Sequence, residues 1–404
     1  MTDSTSRTPG DATPAVSSLP ILLLVSCSAA WVIAQLSYNA LPQLLEPIKE
    51  AFDRSDEVVT RLYGYELFVF AIVAFLIAGP LARVSRVFVA LVGGAIAVAA
   101  GVTSSLTDSY TVLVACRVLV GMGGALVGAA GTAAAASSVD PERAFAIITI
   151  TSSALLASEP ALLEWQALGP HGLDGGFYAI AGATALLMPL LLWLLPPRRT
   201  ERGADSSPWS AILQAPNRAM AVGAMLALLI FSTGQGGIWT YMAEIGQRSD
   251  LEDQAVGNAL SAAQLLGLIG AFLPIWIGDR YGSKWPIVLG IGINVGAAVG
   301  LALSGDPIVY LVLTAFWYAA YYFVIPYLLG LMAKLDDLGR WAVAVDAMWW
   351  LGDAAGPPVA GMIVERSGFE LLTAFPLCTG VICVSIFMKM LGRFDAAGRT
   401  RADF

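Results

Sequence analysis

Apolar residues in this chain come in blocks near 20 residues long, separated by shorter polar turns. A helix needs about 20 apolar residues to cross the hydrocarbon core of a bilayer. Twelve such runs are predicted, at 19–42, 59–82, 87–106, 110–135, 144–163, 176–196, 218–241, 254–278, 285–304, 307–331, 341–363 and 369–391. The first is too long for a cleaved leader. The segment before it, "MTDSTSRTPGDATPAVSS", is polar and has no basic cluster.

The longest polar connection, "PPRRTERGADSSPWSAILQAPNR" from Pro196 to Arg218, divides the runs six and six. An internal repeat supports that cut. "AFLIAGPLARVSRVFVALVGG" starts at Ala74 and "AFLPIWIGDRYGSKWPIVLGIG" at Ala271; with one gap, Arg83 aligns with Arg280 and Arg86 with Lys284. The fold class predicted is an all-α membrane protein with twelve transmembrane helices in two pseudo-symmetric six-helix bundles. Its expected parts are a disordered tail over 1–18, an N-terminal bundle over 19–196, a linker over 197–217, a C-terminal bundle over 218–391 and a tail over 392–404.

Composition agrees. Hydrophobic residues make up 57% and charged residues 13%, where a soluble domain carries about 25% charged. Of the 22 Lys and Arg, 16 fall on the side of the N-terminus, 5 on the opposite side, and Arg117 lies within a run. The positive-inside rule then places both termini in the cytoplasm of a multi-pass inner (plasma) membrane protein. The net charge of −8 resides mostly in turns such as "EPIKEAFDRSDE", and no nucleic-acid partner is expected. Cys27, Cys116, Cys378 and Cys383 match no zinc or redox spacing and read as small buried hydrophobes.

Six plus six helices, a central loop and a basic turn after the second helix of each half resemble the major facilitator superfamily. "GDRYGSK" (278–284) is similar to the family's loop motif; "GPLARVSR" (79–86) keeps both arginines but lacks the aspartate. The resemblance implies a gating role for Arg83, Arg86, Asp279, Arg280 and Lys284. "RVLVGMGG" (117–124) in run 4 is similar to a family Arg-Gly pattern. "GDAAGPPVAG" (352–361) in run 11 is similar to a Gly-Pro motif that family antiporters carry in helix 5. Here run 5 has "SEP" near that place instead.

Small residues at three- and four-residue spacing let membrane helices approach closely. Gly121, Gly124, Gly128 and Gly131 in run 4, and Gly292, Gly296 and Gly300 in run 9, are predicted packing seams. Ionisable groups at such depths are expensive and mark proton or substrate pathways. The candidate proton-coupling acids are Glu66, Glu159, Asp346 and Asp353. At ~1.5 Å per residue, Glu66 lies ~9 Å and Arg117 ~10 Å from one surface, and Glu159 ~22 Å from the other. The three are expected to form one cluster that takes up and releases a proton. Arg117 is read either as a tether between helices or as a direct site residue. Pro160 removes a backbone donor beside Glu159; Glu159 is then either a proton site or a hydrated rim residue. Asp346 either titrates or binds the nearby "KLDDLGR" loop.

Candidate substrate contacts are Gln35, Tyr38, Asn39, Arg117, Gln235, Trp239, Gln264, Tyr318, Tyr321, Tyr322 and Trp350. Aromatic faces beside carboxylates can hold an organic cation, and also neutral or aromatic solutes. The alternative is an interfacial aromatic belt, which suits Trp239 and Tyr241 at a helix end. His171, the single histidine, reads as a loop residue. No phosphate loop, nucleotide fingerprint, metal site or nucleophile constellation is present, so no cofactor, no metal and no enzyme activity is expected. The expected function is proton-coupled secondary transport of a small organic solute, by alternating access and as a monomer in the lipid bilayer. Sodium is the second choice of coupling ion. Uptake is favoured over the alternative, proton-driven efflux of amphipathic or cationic drugs. The alternative of another class is a non-transporting membrane sensor or scaffold.

Overall fold

The computed structural model describes residues 20–78, 80–138, 141–194, 218–277, 284–333 and 340–402. The expected tail over 1–18, the linker, Asp279, Arg280 and the side chain of Asp346 lie outside the described residues. Those described are helical, with no strand among them. The helices are α1 (Ile21–Asn39), α2 (Leu41–Phe52), α3 (Asp56–Ala78), α4 (Arg86–Ser105), α5 (Tyr110–Ala136), α6 (Pro141–Leu156), α7 (Glu159–Leu163), α8 (Gly169–Leu187), α9 (Arg218–Thr240), α10 (Met242–Arg248), α11 (Asp253–Ile277), α12 (Lys284–Leu303), α13 (Pro307–Ala333), α14 (Arg340–Ser367) and α15 (Ala374–Ala402).

Among the described residues, ten stretches are long and apolar enough to cross a membrane. One of them, Ala144–Trp193, runs for 50 residues, and its helix is kinked at Gly172, where φ is +63°. Read as two passes, and with α14 added, it gives a count consistent with the twelve predicted. Large apolar side chains such as Leu76, Phe88, Leu186, Trp276 and Trp285 are exposed on the outside of the bundle, as lipid contact requires.

Local sequence sets the helix ends. Ser85 caps α4 by accepting from the Phe88 amide at 3.3 Å. Asp56 and Glu57 occupy the first turn of α3, where the helix dipole favours acids. The segment "EPIKEAFDRSDE", expected to be a loop, is partly helical. Its helix α2 buries Leu41, Leu44, Leu45 and Ile48 and leaves its charges at the surface.

The core is divided unequally. On the face away from the chain termini, called distal here, one apolar cluster runs through both halves. It joins Leu36, Leu44, Tyr63 and Leu163 to Ile238, Trp239, Tyr241, Val256 and Tyr310. Toward the opposite, proximal face the described residues form two separate clusters. One holds Leu23, Ala30, Val127 and Ile148; the other holds Leu228, Phe231, Ile291, Val324 and Phe387. The halves meet mainly through α3 on α14 and through α6 and α7 on α11.

The glycine seams are half as predicted. Those of α5 face α1 and α3: a Cβ on Gly131 would lie 2.6 Å from Ala30, and one on Gly128 would lie 3.0 Å from Ala34. The α12 seam is corrected. Gly292 and Gly296 are exposed with nothing within 4 Å, and only Gly300 packs, against Leu313. Cys378 is also corrected: it is exposed on α15, while the other three cysteines are buried.

Candidate functional site

Arg117, on α5, is 1% exposed, and Glu66, on α3, is 4% exposed. Their charged atoms are 3.9 Å apart. Arg117 also donates to Ser37 Oγ and Ser104 Oγ, both at 3.2 Å, and lies 4.8 Å over the Phe177 ring. Glu66 Oε2 and Arg117 Nε have no hydrogen-bond partner. A cavity of about 20 Å³ beside them is lined by Ser37, Tyr38, Gly121 and Thr184, with room for about one water molecule. Gly121 makes the pair's geometry possible, because a Cβ there would overlap the Glu66 backbone.

Glu159 does not join this pair, contrary to the expected three-member cluster. The reason is the break at Pro160. Proline lacks the N–H that would bond the Leu156 carbonyl, so α6 stops at Leu156 and α7 restarts at Glu159. Asn39 fills the gap: its amide donates to Leu156 O at 3.0 Å and to Glu159 Oε2 at 2.9 Å. Gln43 donates to Pro160 O at 2.9 Å. The Ala161 amide donates across the halves to Ser261 Oγ on α11 at 3.0 Å. The break thus turns Glu159 toward α1 and the C-terminal half. Its carboxylate is largely enclosed rather than at a rim, and Oε1 is buried without a partner.

Asp353, on α14, is 2% exposed. α14 can lie this deep because it packs closely on α9: a Cβ on Gly236 would stand 3.0 Å from Asp353 Cα, and one on Gly356 would stand 2.6 Å from the Gly237 amide. The motif "GDAAGPPVAG" therefore serves helix contact. Its prolines meet the other half, where Pro358 Cγ would be 2.5 Å from a Cβ on Gly64.

Tyr38 and Trp349 face the Asp353 carboxylate, and Oδ1 has no hydrogen-bond partner. Rings from five helices then connect. Tyr38 lies 5.9 Å from Trp350 and 6.3 Å from Trp239. Trp350 lies 4.7 Å from Phe70, Trp239 stacks on Trp317 at 6.1 Å and meets Tyr318 at 5.9 Å, and Tyr321 lies 5.4 Å from Trp349. Tyr318 continues to Tyr322 at 6.3 Å, and Tyr322 faces Ser153 and Gln264. Trp239 and Tyr241 are buried between the halves, not in an interfacial belt; Trp239 donates to Tyr38 O at 3.0 Å. Both polar atoms of Gln235 are buried without a partner, as are Gln264 Oε1, Trp317 Nε1 and Tyr318 Oη. Gln35 is half-buried on α1.

The distal face carries polar contacts between the halves. Glu57 pairs with Arg366 at 3.3 Å and with Arg61, and Tyr241 donates to Asp56 at 3.2 Å. Lys49 lies 3.2 Å from Asp56. Burial pulls the Lys49 ammonium down, but Glu46 and Asp56 outweigh it and hold it above its ordinary value. Burial raises the Glu244 carboxyl, opposed by Arg248. On the proximal side Arg86 is buried and donates to Ser137 Oγ at 2.8 Å, Arg83 is exposed, and Lys284 lies 5.5 Å from the Trp285 ring. His171 is exposed at the start of α8, in helix rather than loop.

Sequence reasoning passed over Ser37, Ser104, Gln43, Ser261, Trp317 and Trp349. Pro160 was the available signal for two of them: a missing donor and a broken helix demand nearby amides and hydroxyls. Trp349 and Trp317 adjoin Trp350 and Tyr318 in the sequence.

The family model described as Major Facilitator Superfamily matches residues 26–311 and 224–401. No curated protein matches the sequence. Among solved structures, a bacterial homolog of the human lysosomal transporter Spinster, inward-facing and occupied, is similar with a TM-score of 0.71 and 15% identity, over 92% of this chain and 95% of that one. The nucleoside transporter NupG gives 0.72 and 15%, over 92% and 100%. A D-xylose-proton symporter gives 0.71 and 16%, over 91% and 97%.

Proposed function

The chain belongs to the Major Facilitator Superfamily, a family of secondary transporters, and from that premise we propose that it is a proton-coupled carrier of a small organic solute across the inner membrane, working by alternating access with uptake favoured. The observation that carries this reading is the enclosure of three acids, Glu66 inside the N-terminal half beside Arg117 and Glu159 and Asp353 where the two halves meet. On this reading the termini are cytoplasmic and the distal face is outside. The parts are those expected: a tail to 18, bundles over 19–196 and 218–391, a linker between them and a tail from 392. The protein acts as a monomer, without cofactor or nucleic acid, and is not an enzyme.

In the mechanism, the shared distal core closes the outside while the separated proximal clusters flank the inward path. Arg83, Arg86, Asp279, Arg280 and Lys284 hold the proximal turns together when that side closes. Glu66 carries the coupling proton. Neutralising it leaves the Arg117 charge to Ser37 on α1 and Ser104 on α4, and a buried charge that loses its partner favours rearrangement. Glu159 and Asp353 feel the same change through α1, which holds Asn39 and Tyr38, with Asp346 below them on α14. The D-xylose-proton symporter, by its name, joins a small solute to protons on this fold.

Purified protein in liposomes with an imposed pH gradient tests the reading. Solute-dependent proton movement is expected, abolished by Glu66→Gln. Proton-independent flux would remove the coupling. No flux with any of a panel of sugars, nucleosides, amines and carboxylates would favour a scaffold or sensor. The efflux reading predicts counterflow of solute against protons in the same vesicles.

A further inference from the structure

We infer that the solute is an organic cation with a flat apolar body, its positive charge held at Asp353 and its body between the rings of Tyr38, Trp239 and Trp350; this rests on the transport reading above. The first ground is charge. Asp353 and Glu159 are acids enclosed between the halves, and neither has a basic partner among the described residues. Arg117 and Arg86, the buried basic side chains among the described residues, are engaged elsewhere, Arg117 by Glu66, Ser37 and Ser104 and Arg86 by Ser137. A buried carboxylate without a counter-charge is costly, and an arriving cation removes that cost while an anion adds to it.

The second ground is surface chemistry. Tyr38 and Trp349 face the Asp353 carboxylate, and a chain of rings leads from Tyr38 to Trp239 and through Trp350 to Phe70, with centroids 4.7 to 6.3 Å apart. A cation within about 6 Å of such faces is attracted by the ring quadrupoles. The third ground is the set of unpartnered buried atoms. Asp353 Oδ1, both polar atoms of Gln235 and Tyr318 Oη are enclosed without hydrogen bonds. Native interiors leave few such groups, and Gln235 adjoins Gly236, where a Cβ would stand 3.3 Å from that Oδ1. These atoms offer both donors and acceptors to a ligand's N–H or O–H groups.

The test is equilibrium binding to the purified full chain, read by tryptophan quenching and thermal shift. The probes are benzyltrimethylammonium, its uncharged analogue benzyl alcohol, and benzoate. The ammonium is expected to bind about tenfold or more tighter than benzyl alcohol, with benzoate weakest. Asp353→Asn should erase that preference, and Trp350→Leu should weaken both benzyl ligands. Leu186→Ala, on the exposed outer surface, should leave the preference in place. If Asp353→Asn does not fold, competition of the ammonium with carbodiimide labelling of Asp353 in the wild-type chain gives the same answer: protection supports the site, and no protection overturns it. Equal binding of the three probes, or an ammonium preference that survives Asp353→Asn, also overturns it. Binding does not depend on flux. Ammonium binding without transport in liposomes would sink the carrier reading and keep the site; proton-driven flux of a different solute with no ammonium binding would do the reverse.

Discussion

Arg117 and Glu66 are each buried beyond the reach of bulk water and 3.9 Å apart. Such a pair is asymmetric in its energetics: losing one member strands the other, at about 3–5 kcal/mol, whereas replacing both by apolar groups is often neutral. Arg117→Leu alone should therefore lower the unfolding midpoint in detergent strongly, and Arg117→Leu with Glu66→Leu should recover most of it. A double variant no better than the worse single one would show that the two are not coupled. The pairing was legible in the sequence because both residues lie about two turns below the same surface. Glu159 was misplaced for a physical reason. Depth along an ideal helix says nothing of direction once proline removes a hydrogen bond, and the Asn39 amide that captures Glu159 and the Leu156 carbonyl comes from another helix.

Helices here are joined by what they lack as much as by what they carry. The break between α6 and α7 leaves backbone groups that Asn39, Gln43 and Ser261 satisfy, the last from the opposite half. Pro160→Ala restores a donor at that position and lets the helix run on. It should free the Asn39 amide and loosen α7 from α11. A cysteine at Ser261 should then react faster with a hydrophilic maleimide added to the distal side, with global stability little changed. On α10, burial raises the Glu244 carboxyl above its ordinary 4.5. A raised carboxyl stabilises the packed state fully below that ordinary value, and the contribution fades as pH rises through the raised one. The distal contact of α10 should thus weaken over that interval, and Glu244→Gln should flatten the response in a melting series against pH. Most helix positions were legible to within a few residues, because run length alone decides what can cross a bilayer; α8 starts seven residues before the expected 176, and α15 runs eleven past the expected 391. The short helices α2 and α10 were not, since their charges disguise a buried apolar side.

At the scale of the molecule, one apolar cluster ties the halves together distally while two divide them proximally. Cysteines at Glu57 and Arg366, whose side chains pair across the halves, should be bridged in the closed form by a reducible bis-maleimide, which fills the gap left by the two shortened side chains. With the bridge in place transport should fall to background and return on reduction; unchanged flux after full cross-linking would mean that the distal seam never opens. The two-bundle division was legible from the repeat at Ala74 and Ala271, because duplicated turns survive as sequence. The unequal sharing of the core was not, because it depends on contacts between helices far apart in the chain.

The ion pairs along that seam are partly exposed, with Arg366 63% accessible, and exposed pairs contribute little, about 0–1 kcal/mol. The closed form is therefore held mainly by oily contact among residues such as Leu44, Tyr63, Ile238 and Tyr310. Parting such surfaces hydrates them, and hydrating apolar surface raises heat capacity. If distal opening limits turnover, an Arrhenius plot of transport should be curved rather than straight, and adding salt should barely shift it.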